Sequence, residues 1–244
     1  MGSRAAAVRT VTPTRACGAR ATDHALGVVT DTLVIHEIYA SIQGESSFAG
    51  VPCTFVRTVG CDLRCTWCDT PQAFQGGTRL ARSEVLERAL SFGTPLVELT
   101  GGEPLLQPGV LPLMRELCDA GRTVLLETGG HRDVSGVDPR VHKIVDLKAP
   151  GSGEVAQNRL ENLRYLTARD ELKFVLADRG DYDWMRGMLV IHELDALGAK
   201  LLASPAFGLL DPRTLVEWVL ADKLPVRVNL QLHKYVWGAD AVGV

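Results

Sequence analysis

Segments with the apolar pattern of β-strands alternate with segments that have the pattern of helices, and this alternation constrains the fold more than any other feature. Strands are predicted over residues 33–39, 51–59, 95–99, 123–127, 143–147, 172–176, 200–203 and 226–232. Helices are predicted over residues 83–92, 108–120, 158–166, 182–197 and 211–222. Such alternation is typical of a parallel sheet with helices packed outside it. The sequence therefore predicts an α/β fold, a single-domain incomplete (β/α) barrel of roughly six parallel strands with few outer helices.

The first 32 residues differ from the rest of the chain. They are rich in arginine, poor in acidic residues and show no apolar periodicity. We interpret residues 1–32 as a disordered N-terminal extension or as the product of a start codon placed too early, with a transit peptide as the alternative. Residues 33–244 are predicted to form one domain, because no linker or internal repeat divides them.

Charge and hydropathy exclude two classes of partner. The chain of 244 residues carries 26 basic and 29 acidic residues, a formal net charge of −3. A nucleic-acid-binding role has no support from this balance, because such proteins need clustered positive charge. The apolar runs are too short to span a bilayer, so we expect no membrane partner.

Polar residues follow five of the predicted strands at the point where each strand ends. These groups are residues 100–104, 127–130, 146–148, 204–205 and 231–234. In a parallel barrel the carboxyl ends of the strands open on one mouth, where such folds place their chemistry. We therefore predict a single active site at this mouth.

Three of the six cysteines lie within eight residues, at Cys61, Cys65 and Cys68. Thiolates at such short spacings on one loop can hold a compact soft metal centre. An iron–sulfur cluster with three thiolate ligands leaves one iron open to a substrate or cofactor. A structural zinc site is the alternative, although zinc usually takes four ligands in two pairs. Cys53 is a conceivable fourth ligand, but a lone cysteine in an apolar strand usually belongs to the core.

Residues 61–69, with the order Cys-Asp-Leu-Arg-Cys-Thr-Trp-Cys-Asp, resemble the signature loop of the radical S-adenosylmethionine superfamily. The Gly101-Gly102-Glu103 sequence at the end of a predicted strand resembles the motif that contacts the methionyl amino group in that superfamily. The resemblance implies a 4Fe–4S cluster whose open iron is chelated by S-adenosylmethionine. It also implies reductive cleavage of this cofactor to a 5′-deoxyadenosyl radical, which abstracts hydrogen from the substrate.

Further motifs narrow the resemblance to the 7-carboxy-7-deazaguanine synthase family, over the chain from about residue 35 to its end. They lie at residues 41–45, 55–57, 68–70, 146–153, 173–174 and 231–235. This resemblance implies a lyase that converts 6-carboxy-5,6,7,8-tetrahydropterin to 7-carboxy-7-deazaguanine with loss of ammonia, in the biosynthesis of queuosine and related 7-deazapurines. The alternative is a glycyl-radical-activase-like enzyme that acts on a protein partner, a class that lacks the motifs at 146–153 and 231–234.

The resemblance also implies the roles of individual residues, with the radical chemistry assigned to no side chain. The implied substrate-binding residues are Gln43, Glu45, Arg57, Thr100 and His233. The implied cofactor-binding residues are Gly101, Gly102, Glu103, Glu127, Thr128 and Lys148, with Lys173 and Phe174 beside the cofactor or substrate. Cys61, Cys65 and Cys68 are the implied cluster ligands, and the Thr70 hydroxyl is an implied Mg²⁺ ligand. The alternative for Thr70 is a cap on the turn that begins at Pro71.

Two residues depart from the family pattern. Ser46 stands where glycine is usual, and we expect it to make its turn with φ < 0. Gly129 stands where asparagine is common, which weakens the assignment of the ribose contacts. The resemblance further implies a cytoplasmic homodimer that takes its electron from a donor such as a flavodoxin.

Overall fold

The computed structural model describes residues 31–239 and 241–243 of the chain. The strands are β1 (Thr32–Ile42), β2 (Pro52–Thr58), β3 (Thr78–Ala81), β4 (Leu96–Gly101), β5 (Thr123–Thr128), β6 (His142–Asp146), β7 (Glu171–Leu176), β8 (Lys200–Pro205) and β9 (Arg227–Val228). The α-helices are α1 (Arg82–Ser91), α2 (Val110–Asp119), α3 (Arg179–Ile191), α4 (Pro212–Asp222) and α5 (Leu232–Trp237). The interpretation of residues 1–32 as an extension falls outside the described residues, except at Asp31 and Thr32.

Within the described residues the strands form one sheet of nine strands in the order β3-β1-β2-β4-β5-β6-β7-β8-β9. Strands β2 and β4 to β9 run parallel to one another, whereas β1 is antiparallel to both β2 and β3. The sheet has two free edges, at β3 and at β9, so the barrel is open. The predicted incomplete (β/α) barrel is confirmed, with seven parallel strands instead of six.

The two faces of the sheet pack differently. The outer face carries the larger apolar core, in which side chains such as Leu99, Leu126 and Phe174 pack against the helices. Only a small apolar cluster lies on the inner face, formed by Cys53, Phe55, Leu96, Leu125 and Ile144 with Tyr39, Phe48 and Val51 packed against it. Because side chains alternate along a strand, the remaining inner positions hold the polar groups of the interior. The interior is thus mostly apolar at the amino ends of the strands, with the exception of Glu171 at the start of β7, and polar towards the mouth.

The end of the chain departs from the prediction. A strand is predicted over residues 226–232, but only Arg227 and Val228 pair with β8, and α5 begins at Leu232. Next along the chain, the Asn229 main-chain amide donates to Ala203 O at 2.9 Å and its buried side-chain amide donates to Ser204 Oγ at 3.0 Å, before the chain leaves the sheet. The predicted helix over residues 182–197 is also interrupted, because Glu193 has φ 47° and a separate 3₁₀ turn follows it.

Residues 43–51, the loop between β1 and β2, cross the floor of the barrel. The Ser47 amide donates to the buried carboxylate of Glu171 on β7 at 3.1 Å, and the Phe48 ring packs edge-on against His142 on β6 at 5.0 Å. Leu232 at the start of α5 donates its amide to Gly44 O at 2.7 Å. The loop and α5 together therefore cover the side on which the sheet does not close.

Ser46 in this floor loop corrects an expectation. Its φ is 59°, in the left-handed region, and not negative as predicted. The side chain is buried, and its Oγ accepts a hydrogen bond from the Phe48 amide at 3.1 Å. The turn that brings Phe48 back into the barrel therefore keeps the glycine-like conformation, and the local hydrogen bond offsets part of its cost.

Membrane-spanning segments are absent from the described part of the chain, where every helix is too short or too polar to cross a bilayer.

Candidate active site

The three clustered cysteines lie on the loop that follows β2, at the mouth of the barrel. Cys61 and Cys65 are half-buried, Cys68 is exposed, and all three are free thiols. The Thr66 amide donates to Ser152 O at 3.0 Å, and the Arg64 guanidinium donates to Cys61 O at 2.8 Å. These bonds attach the cysteine loop to the segment after β6 and keep its main chain compact.

Gly101 and Gly102 allow the end of β4 to approach the cysteine loop closely. A Cβ atom on Gly102 would lie 2.1 Å from Gly60 O and 3.0 Å from the Cys61 Cβ. A Cβ atom on Gly101 would lie 2.3 Å from Thr58 O, and Gly101 has φ 132°. Both residues must therefore be glycine for steric reasons, and Gly101 for conformational reasons as well.

Glu103 follows directly and is fully buried. Its carboxylate accepts hydrogen bonds from Thr128 Oγ1 at 2.8 Å, the Gly129 amide at 2.8 Å and the Leu105 amide at 3.0 Å. Burial raises the pKa of Glu103, although these hydrogen bonds oppose the shift. The structure thus brings two predicted cofactor-binding segments into direct contact, at the ends of β4 and β5.

Lys173 on β7 is the centre of the polar interior. Its ammonium contacts Glu45 at 3.0 Å and Asp146 at 3.5 Å, and it also pairs with Glu127. Burial alone would lower the pKa of Lys173, but the carboxylates of Asp146, Glu127 and Glu45 raise it well above its usual value. Lys173 is therefore a permanent cation that holds three acidic side chains from different segments.

Glu98 on β4 is a site residue that the sequence analysis missed. Its carboxyl accepts a hydrogen bond from Gln43 Nε2 at 2.8 Å and is 1% exposed. Burial raises the pKa of Glu98 well above its usual value, and the negative charge of Glu127 is the second cause of this increase. Glu98 is two residues before Thr100 in an otherwise apolar strand, so the alternation along β4 is the signal that could have placed it inside.

Lys148 lies between the polar interior and the cysteine loop. Its ammonium pairs with Asp146, and its amide donates to Asn158 Oδ1 at 2.7 Å. Burial raises the pKa of the Cys65 thiol, whereas the charge of Lys148 opposes this shift. The lysine therefore supplies positive charge next to a predicted thiolate.

Asp69, directly after Cys68, joins the cysteine loop to α5. Gln231 Nε2 and Lys234 Nζ each donate to its Oδ2 at 2.9 Å, and Thr70 Oγ1 donates to its Oδ1 at 3.0 Å. Burial would raise the pKa of Asp69, but Lys234 and these hydrogen bonds lower it below its usual value. Thr70 occupies the N-cap position of the turn at Pro71, as in the alternative interpretation, and its carbonyl oxygen accepts from the Ala73 amide at 3.1 Å, but its hydroxyl makes no cap bond to that turn.

The remaining predicted residues are spread around the mouth. Arg57 is held at the rim by Glu37 at 2.7 Å and by the Tyr39 hydroxyl at 2.9 Å. Thr100 is buried next to Arg57 in the register of β2 and β4. His233 lies so close to Gly44 that a Cβ atom there would be 2.0 Å from its Nδ1.

Phe174 does not line the site. It belongs to the outer core, where it packs edge-on against Trp184 of α3 with ring centroids 6.2 Å apart. The prediction that Lys173 and Phe174 lie together beside the cofactor or substrate is therefore wrong for Phe174. The physical reason is the alternation along β7, which turns adjacent side chains to opposite faces of the sheet.

The residues present fit an iron–sulfur cluster that binds S-adenosylmethionine. The donor set is three thiols on one loop, which suits an iron–sulfur cluster. The close approach at Gly102 brings the buried carboxylate of Glu103 next to this loop, with the Glu103 amide donating to Gly60 O at 2.7 Å. A carboxylate at that place suits a positively charged amino group of the cofactor.

Comparisons with known proteins agree with this geometry. The family model of the radical SAM superfamily matches residues 55–151. The 7-carboxy-7-deazaguanine synthase of Chlorobaculum tepidum is 50% identical, over 87% of this chain and 97% of that protein. The protein of the same name from Koribacter versatilis is 45% identical, over 86% of this chain and 99% of that protein.

The crystal structure of QueE from Escherichia coli has the same fold, with a TM-score of 0.69 and 24% identity over 83% of this chain and 95% of that chain. The fold and the site thus define an enzyme of the radical SAM class. Within that class, the chain belongs to the 7-carboxy-7-deazaguanine synthase family. The alternative of a glycyl-radical-activase-like enzyme with a protein partner is not favoured by these relatives.

Proposed function

We propose that this chain converts 6-carboxy-5,6,7,8-tetrahydropterin to 7-carboxy-7-deazaguanine with loss of ammonia, in queuosine and 7-deazapurine biosynthesis. The observation that carries this proposal is the 50% identity over nearly the whole length of the Chlorobaculum tepidum synthase. The loss of ammonia balances the conversion, so the reaction needs no net oxidant.

Cys61, Cys65 and Cys68 would hold the 4Fe–4S cluster. When bound, the cluster and S-adenosylmethionine supply a 5′-deoxyadenosyl radical that abstracts hydrogen from the substrate. Glu103 would bind the methionyl amino group, with Gly101 and Gly102 allowing the end of β4 to approach the cysteine loop closely. Glu127, Thr128 and Lys148 would surround the rest of the cofactor, supported by the hydrogen bonds from Thr128 to Glu103 and from Lys148 to Asn158.

The pterin would lie over the polar interior. A pterin ring carries adjacent donors and acceptors, which need paired polar partners. Gln43 and Glu45 offer such partners and are held in place, since Glu98 accepts from Gln43 and Lys173 pairs with Glu45 at 3.0 Å. Thr100 and His233 would complete the pocket, and Arg57 would attract the substrate carboxylate, in competition with Glu37.

Mg²⁺ would bind at the Thr70 hydroxyl, with water and substrate oxygens filling the rest of its shell. Magnesium favours hard oxygen ligands and keeps several waters, so a single protein ligand is sufficient. The carboxylate of Asp69, which accepts from Thr70 at 3.0 Å, adds a negative charge next to the ion. Magnesium would polarise the substrate as a Lewis acid.

The proposal extends to the setting of the enzyme. We propose a cytoplasmic homodimer that receives its electron from a small redox protein such as a flavodoxin, and one catalytic domain over residues 33–244. Sedimentation equilibrium of the full chain tests the dimer, and turnover with reduced flavodoxin as the sole reductant tests the donor.

One assay tests the function itself. The cluster is reconstituted without oxygen, and reductant, S-adenosylmethionine, Mg²⁺ and 6-carboxytetrahydropterin are added. The proposal expects 7-carboxy-7-deazaguanine and ammonia in equal amounts, detected by mass spectrometry and by an ammonia assay. An intact cluster that cleaves the cofactor but forms no deazapurine would contradict the proposed substrate.

A further inference from the structure

Gln231 belongs to the motif at residues 231–235 but has no role among the residues assigned so far. It directly precedes α5, and its side-chain Nε2 lies 3.0 Å from Glu45 Oε1 and 2.9 Å from Asp69 Oδ2. Glu45 belongs to the floor loop between β1 and β2, and Asp69 follows the last of the three clustered cysteines. One amide group therefore joins two loops that are distant from it in the chain.

The chemistry of the two partners fixes the direction of both hydrogen bonds. Glu45 pairs with Lys173 Nζ at 3.0 Å. Asp69 pairs with Lys234 Nζ at 2.9 Å. A carboxylate only accepts hydrogen bonds, and a glutamine amide carries two N–H donors on its nitrogen and none on its oxygen. Nε2 of Gln231 must therefore lie between the carboxylates and give one N–H to each, so both of its donors are used.

The main chain holds Gln231 against the floor loop. The next residue, Leu232, donates its amide to O of Gly44, the residue directly before Glu45, at 2.7 Å. On the other side of this contact, His233 lies so close that a Cβ atom on Gly44 would be 2.0 Å from its Nδ1. The place from which the Gln231 side chain reaches the two carboxylates is thus fixed by the fold.

The hydrogen bonds continue beyond Asp69. Its Oδ1 accepts from Thr70 Oγ1 at 3.0 Å, so a continuous row of hydrogen bonds runs from Glu45 through Gln231 and Asp69 to Thr70. One end of the row is a proposed ligand of the pterin, and the other end is the proposed ligand of Mg²⁺. The separation of these two ends therefore decides whether one substrate molecule contacts both.

We propose that Gln231 is a positioning residue, which holds Glu45 and Asp69 at the separation that lets one pterin contact Glu45 and a magnesium ion at Thr70 together. The inference rests on the proposed function, in which these residues bind the pterin and the ion. Gln231 acts through the two carboxylates and needs no contact of its own with the substrate. Without its two donors, the negative charges of Glu45 and Asp69 repel each other and the loops that carry them separate.

Two variants remove the bridge in different ways. Gln231→Leu removes both donors, whereas Gln231→Glu keeps the shape of the side chain and adds a third carboxylate. Gln157→Leu, at an exposed position after β6, is the matched control for loss of a glutamine elsewhere. Gln231→Leu is also combined with Glu45→Gln in a double-mutant cycle, which measures whether the two side chains act together.

The measurement is the Kd of 6-carboxytetrahydropterin for the full-length, cluster-loaded protein with S-adenosylmethionine, without reductant so that no turnover occurs. In both Gln231 variants we expect this Kd to rise about tenfold, the size of one charge-assisted hydrogen bond. The Kd of S-adenosylmethionine should stay within about twofold, and the control should match the parent.

Two further readouts separate positioning from a general structural role. Added Mg²⁺ should tighten pterin binding in the parent and should tighten it less in the Gln231 variants. The effect of Glu45→Gln on the pterin Kd should shrink when Gln231→Leu is already present, since Gln231 acts through Glu45.

Iron content and the free energy of unfolding are measured first, and Gln231→Glu decides the question if Gln231→Leu does not fold. An unchanged pterin Kd in the variants would overturn the inference. Equal weakening of pterin and S-adenosylmethionine, or additive effects in the cycle, would also overturn it, because Gln231 would then serve only the general structure.

The failure of the inference is distinguishable from failure of the proposed function. If Mg²⁺ has no effect on pterin binding in the parent, the inference fails together with the magnesium ligand, while the proposed reaction stands. If the parent with an intact cluster and S-adenosylmethionine binds no 6-carboxytetrahydropterin, the proposed function itself fails.

Discussion

At the scale of single residues, the barrel interior depends on charges that are paired away from water. The positive charge of Lys173 pairs with the carboxylates of Glu45, Glu127 and Asp146, whereas Glu98, which is 1% exposed, forms no ion pair with any cation of the described residues. A buried carboxyl without a cation stays neutral, because desolvation penalises its charged form. In its neutral form Glu98 can donate to Glu127 while it accepts from Gln43, which fixes the amide that the proposed substrate needs.

Glu98→Gln tests this protonation state through stability. The pKa of Glu98 is raised in the folded protein, so ionisation favours the unfolded chain as the pH rises above the ordinary glutamate value of about 4.3. Glutamine does not titrate, and its amide can replace the protonated carboxyl. We expect the free energy of unfolding of the variant, relative to the parent, to increase from pH 5 to pH 8 in urea titrations.

The control for this prediction is Glu87→Gln on the exposed face of α1, which should follow the parent at every pH. If the curves of Glu98→Gln and the parent stay parallel over this range, Glu98 is ionised in the folded protein and the assignment is wrong.

Thr70→Ala tests the proposed magnesium ligand. The variant removes one oxygen donor at the mouth and leaves the three thiols in place, so iron content should equal that of the parent. We expect turnover to fall by roughly tenfold and its response to added Mg²⁺ to weaken, the usual size of effect for a group that orients or polarises a substrate. The control is Thr78→Ala, at an exposed position in β3. The same Mg²⁺ dependence in Thr70→Ala and the parent would refute the ligand.

At the scale of elements, the close contact between the end of β4 and the cysteine loop places the predicted cofactor residues. The contact requires glycine at position 102, where a Cβ atom would meet Gly60 O at 2.1 Å. The Glu103 amide donates to the same oxygen at 2.7 Å. The geometry of the loop and the position of the buried Glu103 carboxylate are therefore coupled.

Gly102→Ala should separate these two segments. We expect the reconstituted iron content to fall by at least half and the free energy of unfolding to fall by about 1–3 kcal/mol, the usual cost of overpacking. Gly187→Ala is the matched control, because nothing lies within 4 Å of its Cβ position in α3. Alanine is the better helix former, so this control should gain about 0.5–1 kcal/mol and keep its iron. Equal iron content in both variants would show that the contact does not position the loop.

Much of the architecture is predictable from local pattern, and the exceptions have physical reasons. Helix α4 begins after Asp211 as predicted, since that side chain accepts from the Arg213 amide at 3.2 Å. Strand β3 was missed because its four residues form an edge strand with too little pattern to detect. The polar residues near position 231 have the pattern of a strand end. The side chain of Gln231 instead donates hydrogen bonds to Asp69 and Glu45, which are distant in sequence, so a local pattern does not indicate its position.

The site was predictable to a different extent. The cysteine loop and the segments around Glu103 and Thr128 carry motifs, and the structure brings them together at one mouth. The partners of Lys173 come from three other segments, so no local pattern indicates them.

At the scale of the whole molecule, two segments outside the parallel strands cover the open side of the sheet. The floor loop over residues 43–51 reaches β4 and β7, and α5 meets the cysteine loop through Lys234 and Asp69 at 2.9 Å. The proposed substrate ligands Gln43, Glu45 and His233 therefore belong to the same elements that close the barrel. The segments that cover the open side of the barrel would thus also bind the substrate.

The most direct test of the cluster is electron paramagnetic resonance of the reduced, anaerobically reconstituted full chain, with iron, sulfide and zinc measured on the same sample. We expect four irons and four sulfides per chain, as a 4Fe–4S cluster requires. We also expect a signal that changes when S-adenosylmethionine is added, because the cofactor binds the open iron. One zinc per chain without iron, or a cluster signal that S-adenosylmethionine does not alter, would contradict a three-thiolate cluster at the barrel mouth.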